Sequence, residues 1–176
     1  NNNYSNKINL KSEGFFSTLY KFKGKYLAEG FIKNNILKPR KYNHLWETKK
    51  NKKKMNLVFN NNKLGSLKQS PTENEKMRID IFNVEETKDP LSSFLQILMG
   101  AKESLVTDGR RLYTMNAFYN SDTKQTTIQL NDYFNLWADH KKNKFEKIIF
   151  EANKDQVLPV KIIIYFDGRV FKIEKN

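Results

Sequence analysis

The chain has 176 residues, a formal net charge of +13 and no Cys. Its length suits one domain with a substantial core, so we expect a single domain over residues 1–176. The lack of Cys excludes disulfides, thiolate metal ligands and a Cys nucleophile, and no apolar run in the sequence is long enough to cross a bilayer.

The positive charge comes from Lys far more than from Arg. Only five of the 32 basic residues are Arg, at positions 40, 78, 110, 111 and 169. Proteins that read phosphates and bases favour Arg, because its planar guanidinium donates two parallel hydrogen bonds. Lys, Asn and Ile are abundant together, which indicates the compositional bias of an AT-rich genome. Nucleic-acid binding is therefore a weaker hypothesis than the charge alone suggests.

The first 40 residues predict strands separated by short turns. Residues 15–32 have the composition of two strands on either side of a turn at Lys23-Gly24-Lys25. Gly30 predicts a bulge or the close approach of another backbone. Asn34-Asn35 and Lys38-Pro39 predict the next breaks in the chain.

The following segment predicts a hairpin with a basic tip. Residues 42–49 have strand composition, and 49–54 contain five Lys, as expected of a solvated hairpin tip. Met55, Leu57 and Phe59 then recur at alternate positions, so one face of their strand is expected to be buried. Three short elements come next: a turn at 60–62, a short strand at 64–67 and a polar loop at 70–80.

The stretch 88–100 predicts the one convincing helix. Asp89 can accept hydrogen bonds from the free N–H groups of the first turn, and Pro90 lies where a missing N–H costs nothing. Gly100 can adopt a positive φ and end the helix. One apolar stripe follows the helical period: Leu91, Phe94, Leu95 and Leu98. We expect this stripe, with Leu95 at its centre, to pack on the sheet.

The second half predicts more strands. Asp108-Gly109 favours a two-residue type I′ hairpin turn, the segment 133–138 is ambiguous, and 141–144 is a second basic tip. The predicted strands are 112–119, 125–130, 145–151, 157–166 and 169–174. About ten strands with turn signals every 8 to 12 residues indicate an antiparallel sheet, a barrel or a sandwich.

The last two strands have a predictable register. A two-residue loop at Asp167-Gly168 makes Phe166 face Arg169, and every later pair follows by counting outward. Four large apolar side chains then share one face, which we expect to be buried: Ile162, Ile164, Phe171 and Ile173. The same register opposes Lys161 and Glu174, and no slip by one residue achieves both.

Two motifs carry a family resemblance: Asp89-Pro90-Leu91-Ser92-Ser93-Phe94-Leu95, and Asp108-Gly109-Arg110-Arg111-Leu112-Tyr113. They are similar to the centre of the bacterial domain-of-unknown-function family 3108. Flanking segments agree with that family in order along the chain: 30–42, 52–59, 158–162 and 168–170.

The resemblance implies an exported protein of the bacterial periplasm or cell envelope, with a strongly curved sheet similar to that of lipoprotein carriers. It implies no established reaction and no catalytic residue. Members usually begin with a signal peptide and an extra strand pair that this sequence does not show, so we expect that strand pair to be missing. The expected fold is mainly β: a strongly curved antiparallel sheet or open barrel of about ten strands, with one short helix (about 90–99) packed on it.

Enzyme chemistry has little support in the sequence. His44 and His140, the two histidines, lack a second His or acidic partner at ligand spacing. No Gly-x-Ser-x-Gly elbow surrounds Ser92 or Ser93, and there is no phosphate loop or dinucleotide fingerprint. We therefore expect no catalytic residue, no metal, no cofactor and no enzyme activity.

Two sets of side chains are candidates for binding. One set could line an apolar cavity between sheet and helix, although core packing is the stronger interpretation: Trp46, Phe59, Phe94, Leu98, Phe118 and Trp137. The other lies at the basic tips and could contact anionic lipid headgroups, although solvated loops are the ordinary interpretation: Lys50, Lys52, Lys53, Lys54, Lys141 and Lys142.

Three functional hypotheses follow. The first is a non-enzymatic envelope module that binds or carries a lipid or another apolar ligand. The second is a structural module that contacts an envelope protein through a sheet edge or a surface patch, without a ligand. Nucleic-acid binding is third, and it predicts a continuous basic stripe instead of basic residues spread over all faces.

Overall fold

The computed structural model describes residues 2–11, 21–137, 145–151, 159, 161–166 and 168–174. In these residues the protein is mainly β, with eleven strands and one α-helix, α1 (Pro90–Leu98). The strands are β1 (Asn2–Lys11), β2 (Phe22–Lys33), β3 (Ile36–Thr48), β4 (Lys52–Asn60), β5 (Lys63–Ser70), β6 (Glu103–Thr107), β7 (Arg111–Asn120), β8 (Gln125–Asn135), β9 (Phe145–Glu151), β10 (Lys161–Phe166) and β11 (Arg169–Glu174).

The strands form two antiparallel sheets instead of one. Sheet A contains β1 to β5 and sheet B contains β6 to β11, and each strand pairs with its neighbours in chain order. The antiparallel, mainly β class is confirmed. The strongly curved single sheet or open barrel is not confirmed, because neither sheet is closed or strongly curled. The segment between β5 and β6, which includes α1, separates the two meanders.

The start and end of α1 confirm the predicted signals. The Asp89 carboxylate accepts hydrogen bonds from the backbone N–H of Leu91 and of Ser92, both at 3.0 Å, and Pro90 is the first helical residue. At the other end Gly100 has a φ of 99°, and its N–H donates to the Ile97 carbonyl. A side-chain cap and a left-handed glycine therefore satisfy the free backbone groups at the two ends.

The buried face of α1 differs from the predicted stripe. Ile97 is buried, whereas Leu95 is half-buried and belongs to neither of the two core clusters. Polar side chains share the buried face: the Ser104 hydroxyl of β6 donates to Ser93 Oγ at 2.9 Å, and Gln96 Oε1 accepts from the Leu37 N–H of β3 at 2.7 Å. These contacts join α1 to both sheets. The buried face of α1 is therefore determined by contacts with sheet A and sheet B and not by a single apolar stripe.

The core consists of two clusters. The first lies on the inner face of sheet A and includes the following buried residues: Ala28, Tyr42, Met55, Leu57, Phe59, Leu64, Ile81, Leu91, Leu136 and Trp137. The second joins α1 to the inner face of sheet B: Ile97, Val106, Tyr113, Met115, Ile128 and Phe150. The predicted alternation of Met55, Leu57 and Phe59 is confirmed, since all three are buried in the first cluster.

Turn predictions succeeded where Asn pairs supply positive φ. Asn34-Asn35 and Asn61-Asn62 have φ between 50° and 64° and join β2 to β3 and β4 to β5. The predicted turn at Lys23-Gly24-Lys25 is wrong, because β2 runs through these residues. The break at Lys38-Pro39 is also wrong: Pro39 lies within β3, next to a register shift. Asp108-Gly109 belongs to a four-residue loop between the pair Thr107 and Leu112 and not to a two-residue turn.

The close approach predicted at Gly30 is confirmed, and the bulge lies opposite Gly30, at Arg40 of β3. The β2–β3 register shifts at Glu29/Gly30. A Cβ on Gly30 would overlap the carbonyl oxygen of Lys38 and lie 2.7 Å from the Tyr4 ring.

Replacing Gly30 by Ala is therefore expected to lower the free energy of unfolding by about 1–3 kcal/mol, because a backbone atom must move. Gly65→Ala is the matched control, since its new methyl would meet the flexible side chain of Asn60 at 2.6 Å. Urea denaturation of both variants measures the difference. Equal losses would show that the close approach at Gly30 is unimportant.

The C-terminal hairpin confirms the predicted register and corrects the predicted burial. Phe166 opposes Arg169, and all six predicted pairs between β10 and β11 are present. Phe171 and Ile173 are nevertheless 48% and 43% exposed. The reason is position: β11 is the outermost strand of sheet B in the described residues, and the second core cluster reaches only as far as Ile162.

Candidate functional site

The solvent-facing side of sheet A carries many lysines, and we call this side the basic face. Successive side chains in a strand point to opposite sides, so paired residues of neighbouring strands share one side. Four rows of paired residues cross the face, beginning at Ser5, Lys7, Asn9 and Lys11 of β1. They contain eight lysines, all exposed: Lys7, Lys11, Lys23, Lys25, Lys41, Lys52, Lys54 and Lys68.

Among the described residues, negative charge on the basic face is sparse. The same four rows contain two carboxylates, Glu29 and Glu47, and the Lys52 ammonium lies 4.0 Å from Glu47. Neighbouring strands are about 4.8 Å apart, so directly opposed lysines such as Lys11 and Lys23 lie within one Debye length at ordinary salt. The face therefore presents a summed positive potential to solvent.

Closer ion pairs lie off the basic face, in the segment before α1. Lys63 is 2.9 Å from Glu85, and Lys38 is 3.4 Å from Glu86. The acidic side chains of this segment thus neutralise lysines near the β4–β5 turn and leave the rows of sheet A positive.

A pocket of about 630 Å³ opens on the basic face where the strands are irregular. In the β2–β3 pairing Arg40 has no opposite residue, and in the β4–β5 pairing Gly65 has none. Bulges bend a strand and redirect its side chains, so these two, one on each side of the β3–β4 pairing, produce a concavity. The pocket is lined by Asn3, Tyr4, Ser5, Glu29, Gly30, Arg40, Lys41, Val58, Phe59 and Asn60.

The predicted lysine contacts are divided between different surfaces. Lys52 and Lys54 lie on the basic face, whereas Lys53 lies on the opposite side of the same strand, paired with Trp46. Lys50 is exposed in the turn before β4. Lys141 and Lys142 lie outside the described residues.

The six predicted cavity residues do not meet at one place. Phe59 and Trp137 belong to the first core cluster, and Phe94 and Leu98 pack against the second. Trp46 packs its ring 4.5 Å from that of Phe22.

Phe118 does not fit the lining of an enclosed cavity, because 53% of it is exposed on β7. Of the six, Phe59 alone also lines the pocket on the basic face. Core packing therefore accounts for most of this set.

Most lysines of the basic face were missed by the sequence interpretation. Lys7 and Lys68 are isolated in the sequence, and they join the other lysines of the face only through the register of the five strands. The available signal was the spacing of two between Lys23 and Lys25, which places both on one side of a strand.

A buried polar chain lies behind the pocket. The Ser92 hydroxyl donates to Asp89 Oδ2 at 2.5 Å, so the Tyr4 hydroxyl, 2.6 Å from Ser92 Oγ, is the donor to Ser92. Burial raises the pKa of Asp89 to about 6 despite these hydrogen bonds. Ser92 and Asp89 are fully buried, and Ser92 links the Tyr4 hydroxyl to the Asp89 carboxylate.

His44 packs among aromatic rings of sheet A. Its ring stacks on Tyr26 with centroids 4.5 Å apart, and burial lowers its pKa to about 4, so it is neutral at pH 7. His140 lies outside the described residues. Within the described ranges no group of three potential ligands is placed to hold a metal ion, and no helix there has the length and apolar character needed to span a membrane.

Comparison of the chain with protein-family models, curated proteins and solved structures found no match.

Proposed function

We propose that the protein is a non-enzymatic binding module of the bacterial envelope that docks on an anionic lipid surface through the basic face. The observation that supports this most is the placement of eight exposed lysines on one side of sheet A. A periplasmic or envelope location is part of the proposal and rests on the family resemblance.

The energy available to such a surface is large. Each Lys near an anionic bilayer contributes about 1 kcal/mol at physiological salt, and the effect falls off within a Debye length. A sheet that is not strongly curled can bring several rows of lysines close to a flat membrane at once. Several lysines acting together therefore suffice for reversible binding.

Lipid headgroups suit the basic face better than nucleic acid does. Proteins that bind single strands on a sheet stack the bases on aromatic side chains, and none of the paired positions in the four rows is aromatic. All eight cations of the rows are Lys, a point charge without the planar fork that reads bases.

Binding to vesicles tests this proposal. We expect the protein to co-sediment with vesicles of roughly one-third phosphatidylglycerol in phosphatidylcholine, and to be released as salt rises from about 0.1 M to about 1 M. Replacing Lys7, Lys25, Lys54 and Lys68 by Gln should weaken binding at least about 100-fold.

The control removes the same charge elsewhere. Gln at Lys76, Lys102, Lys124 and Lys172, which are exposed outside the four rows, should change binding much less. Equal loss in both quadruple variants would reject a defined face. Tighter binding to DNA or RNA than to vesicles at equal salt would reject lipid in favour of nucleic acid.

The carrier form of the proposal adds a strongly curved sheet or open barrel around a lipid or other apolar ligand. Its support is the family resemblance and the abundance of aromatic residues. Native mass spectrometry after mild purification is expected to show a bound lipid if this form is correct, and a mass equal to that of the chain alone counts against it.

A second candidate function is protein interaction through the edge of sheet B. The outermost described strand exposes apolar groups on both of its sides, Val170 on one and Phe171 and Ile173 on the other. Such an edge can accept an extended strand from a partner. Phe171→Ser should then abolish capture of a partner from envelope extracts, whereas Phe118→Ser, which removes another exposed aromatic ring, should not.

A further inference from the structure

We infer that the pocket in the basic face holds one phosphodiester headgroup that carries a neighbouring hydroxyl, the chemistry of phosphatidylglycerol. This inference rests on the proposed docking of the basic face on lipid and adds a specific site to it. The basic face supplies general attraction to any anionic surface, whereas the pocket gathers several donors and the Glu29 carboxylate in one concavity.

The cationic side of the pocket is Arg40 with its neighbour Lys41. Arg40 is the bulged residue of β3, exposed and unopposed in the β2–β3 pairing, and Lys41 is paired with Glu29. A guanidinium can donate two parallel hydrogen bonds to phosphate, and an adjacent ammonium adds a point charge. Arg40 is the one Arg of the pocket lining, where the rest of the face uses Lys.

The remaining polar groups fit an uncharged, hydroxyl-bearing part of the ligand. Asn3, Ser5 and Asn60 line the pocket with amide and hydroxyl groups that both donate and accept. Glu29 is half-buried in the same lining, and its carboxylate accepts hydrogen bonds only. Glu29 would repel a bare phosphate and would accept from a hydroxyl beside the phosphate.

The floor of the pocket is fixed by the fold. Gly30 and Phe59 are buried beneath the polar rim, and Tyr4 is tied to Ser92 through its hydroxyl. Tyr4, Gly30 and Phe59 lie within β1, β2 and β4 and not on a loop. Because this floor is already ordered before binding, it adds little to the conformational entropy lost on binding.

Titration with soluble headgroups tests the inference without a membrane. Glycerophosphoglycerol is added to the full chain and followed by amide chemical shifts, with inorganic phosphate and glycerol titrated separately. We expect saturable shifts at Gly30, Arg40, Lys41 and Asn60, and binding of glycerophosphoglycerol at least about tenfold tighter than that of inorganic phosphate. Equal affinity for the two would make the site one for free phosphate and would overturn the inference.

Single variants separate the site from general electrostatics. Arg40→Gln should weaken glycerophosphoglycerol binding about tenfold or more, whereas Lys25→Gln, which removes the same charge from the same face outside the pocket, should change it less than about twofold. Glu29→Gln should strengthen phosphate binding and reduce the preference for glycerophosphoglycerol. An unchanged preference in Glu29→Gln, or equal losses in Arg40→Gln and Lys25→Gln, would overturn the assignment.

The two proposals can fail separately. If vesicle binding depends on the four lysines but the soluble headgroup does not bind selectively, the docking proposal stands and the pocket assignment is rejected. Selective binding of the soluble headgroup, with no loss of vesicle binding in the four-lysine variant, would leave the pocket and remove the docking face.

Discussion

Replacing Ile97 by Ala is expected to lower the free energy of unfolding by about 2–5 kcal/mol. Ile97 is 4% exposed and packs in the cluster that joins α1 to sheet B, with Val106 of β6 and Ile128 of β8. The substitution removes buried apolar surface and leaves a cavity that neither the helix nor the sheet can fill without moving. Urea denaturation followed by far-UV circular dichroism measures the change.

Leu95→Ala is the matched control for this prediction. The stripe pattern placed Leu95 at the centre of the buried face, whereas the structure leaves it half-buried outside both clusters. Leu95→Ala should therefore lower the free energy of unfolding much less than Ile97→Ala does. A larger decrease in the free energy of unfolding for Leu95→Ala than for Ile97→Ala would mean that α1 packs through the stripe predicted from the sequence and not through the face that contains Ile97.

The features that sequence reasoning obtained correctly are those set by local chemistry. The cap by Asp89, the helix start at Pro90 and the stop at Gly100 depend on residues within one turn of the helix end. The β10–β11 register depends on a short turn and on adjacent pairs, so counting outward from Phe166 and Arg169 was sufficient.

The features that sequence reasoning missed depend on which elements become neighbours. Ser93 and Gln96 are buried because β6 and β3 supply their hydrogen-bond partners, and nothing near them in sequence indicates this. The division into two sheets follows from the long connection between β5 and β6. Exposure of Phe171 follows from its edge position, which the strand pattern does not encode.

The candidate site also depends on which elements become neighbours in the fold. A single strand with two or three lysines is unremarkable, and sheet A becomes a basic face because five strands align their lysines in register. The pocket requires bulges in the β2–β3 and β4–β5 pairings, and only the first, opposite Gly30, had a sequence signal. Surface chemistry that is assembled from many strands is therefore the least accessible to pattern reasoning.

The pH dependence of stability should show a contribution from Asp89 of about 3 kcal/mol. Burial raises the pKa of its carboxyl from 3.8 to about 6 in the folded protein. Between about pH 4 and 6 the folded protein keeps a proton that the unfolded chain has released, so the free energy of unfolding falls as pH rises through this window. A difference of about two pKa units corresponds to about 3 kcal/mol.

Asp89→Asn isolates this contribution, because an amide oxygen can still accept from the N–H groups of Leu91 and Ser92 but does not titrate. The free energy of unfolding of the wild type minus that of Asp89→Asn is expected to be largest near pH 4 and to fall by about 3 kcal/mol by pH 7. Asp89→Ala also loses the cap, so its free energy of unfolding should be ~1 kcal/mol lower than that of Asp89→Asn at every pH. Urea denaturation from pH 4 to 7 measures all three curves. A wild-type slope retained in Asp89→Asn would mean that another group titrates in this window, and that Asp89 is ionised throughout it.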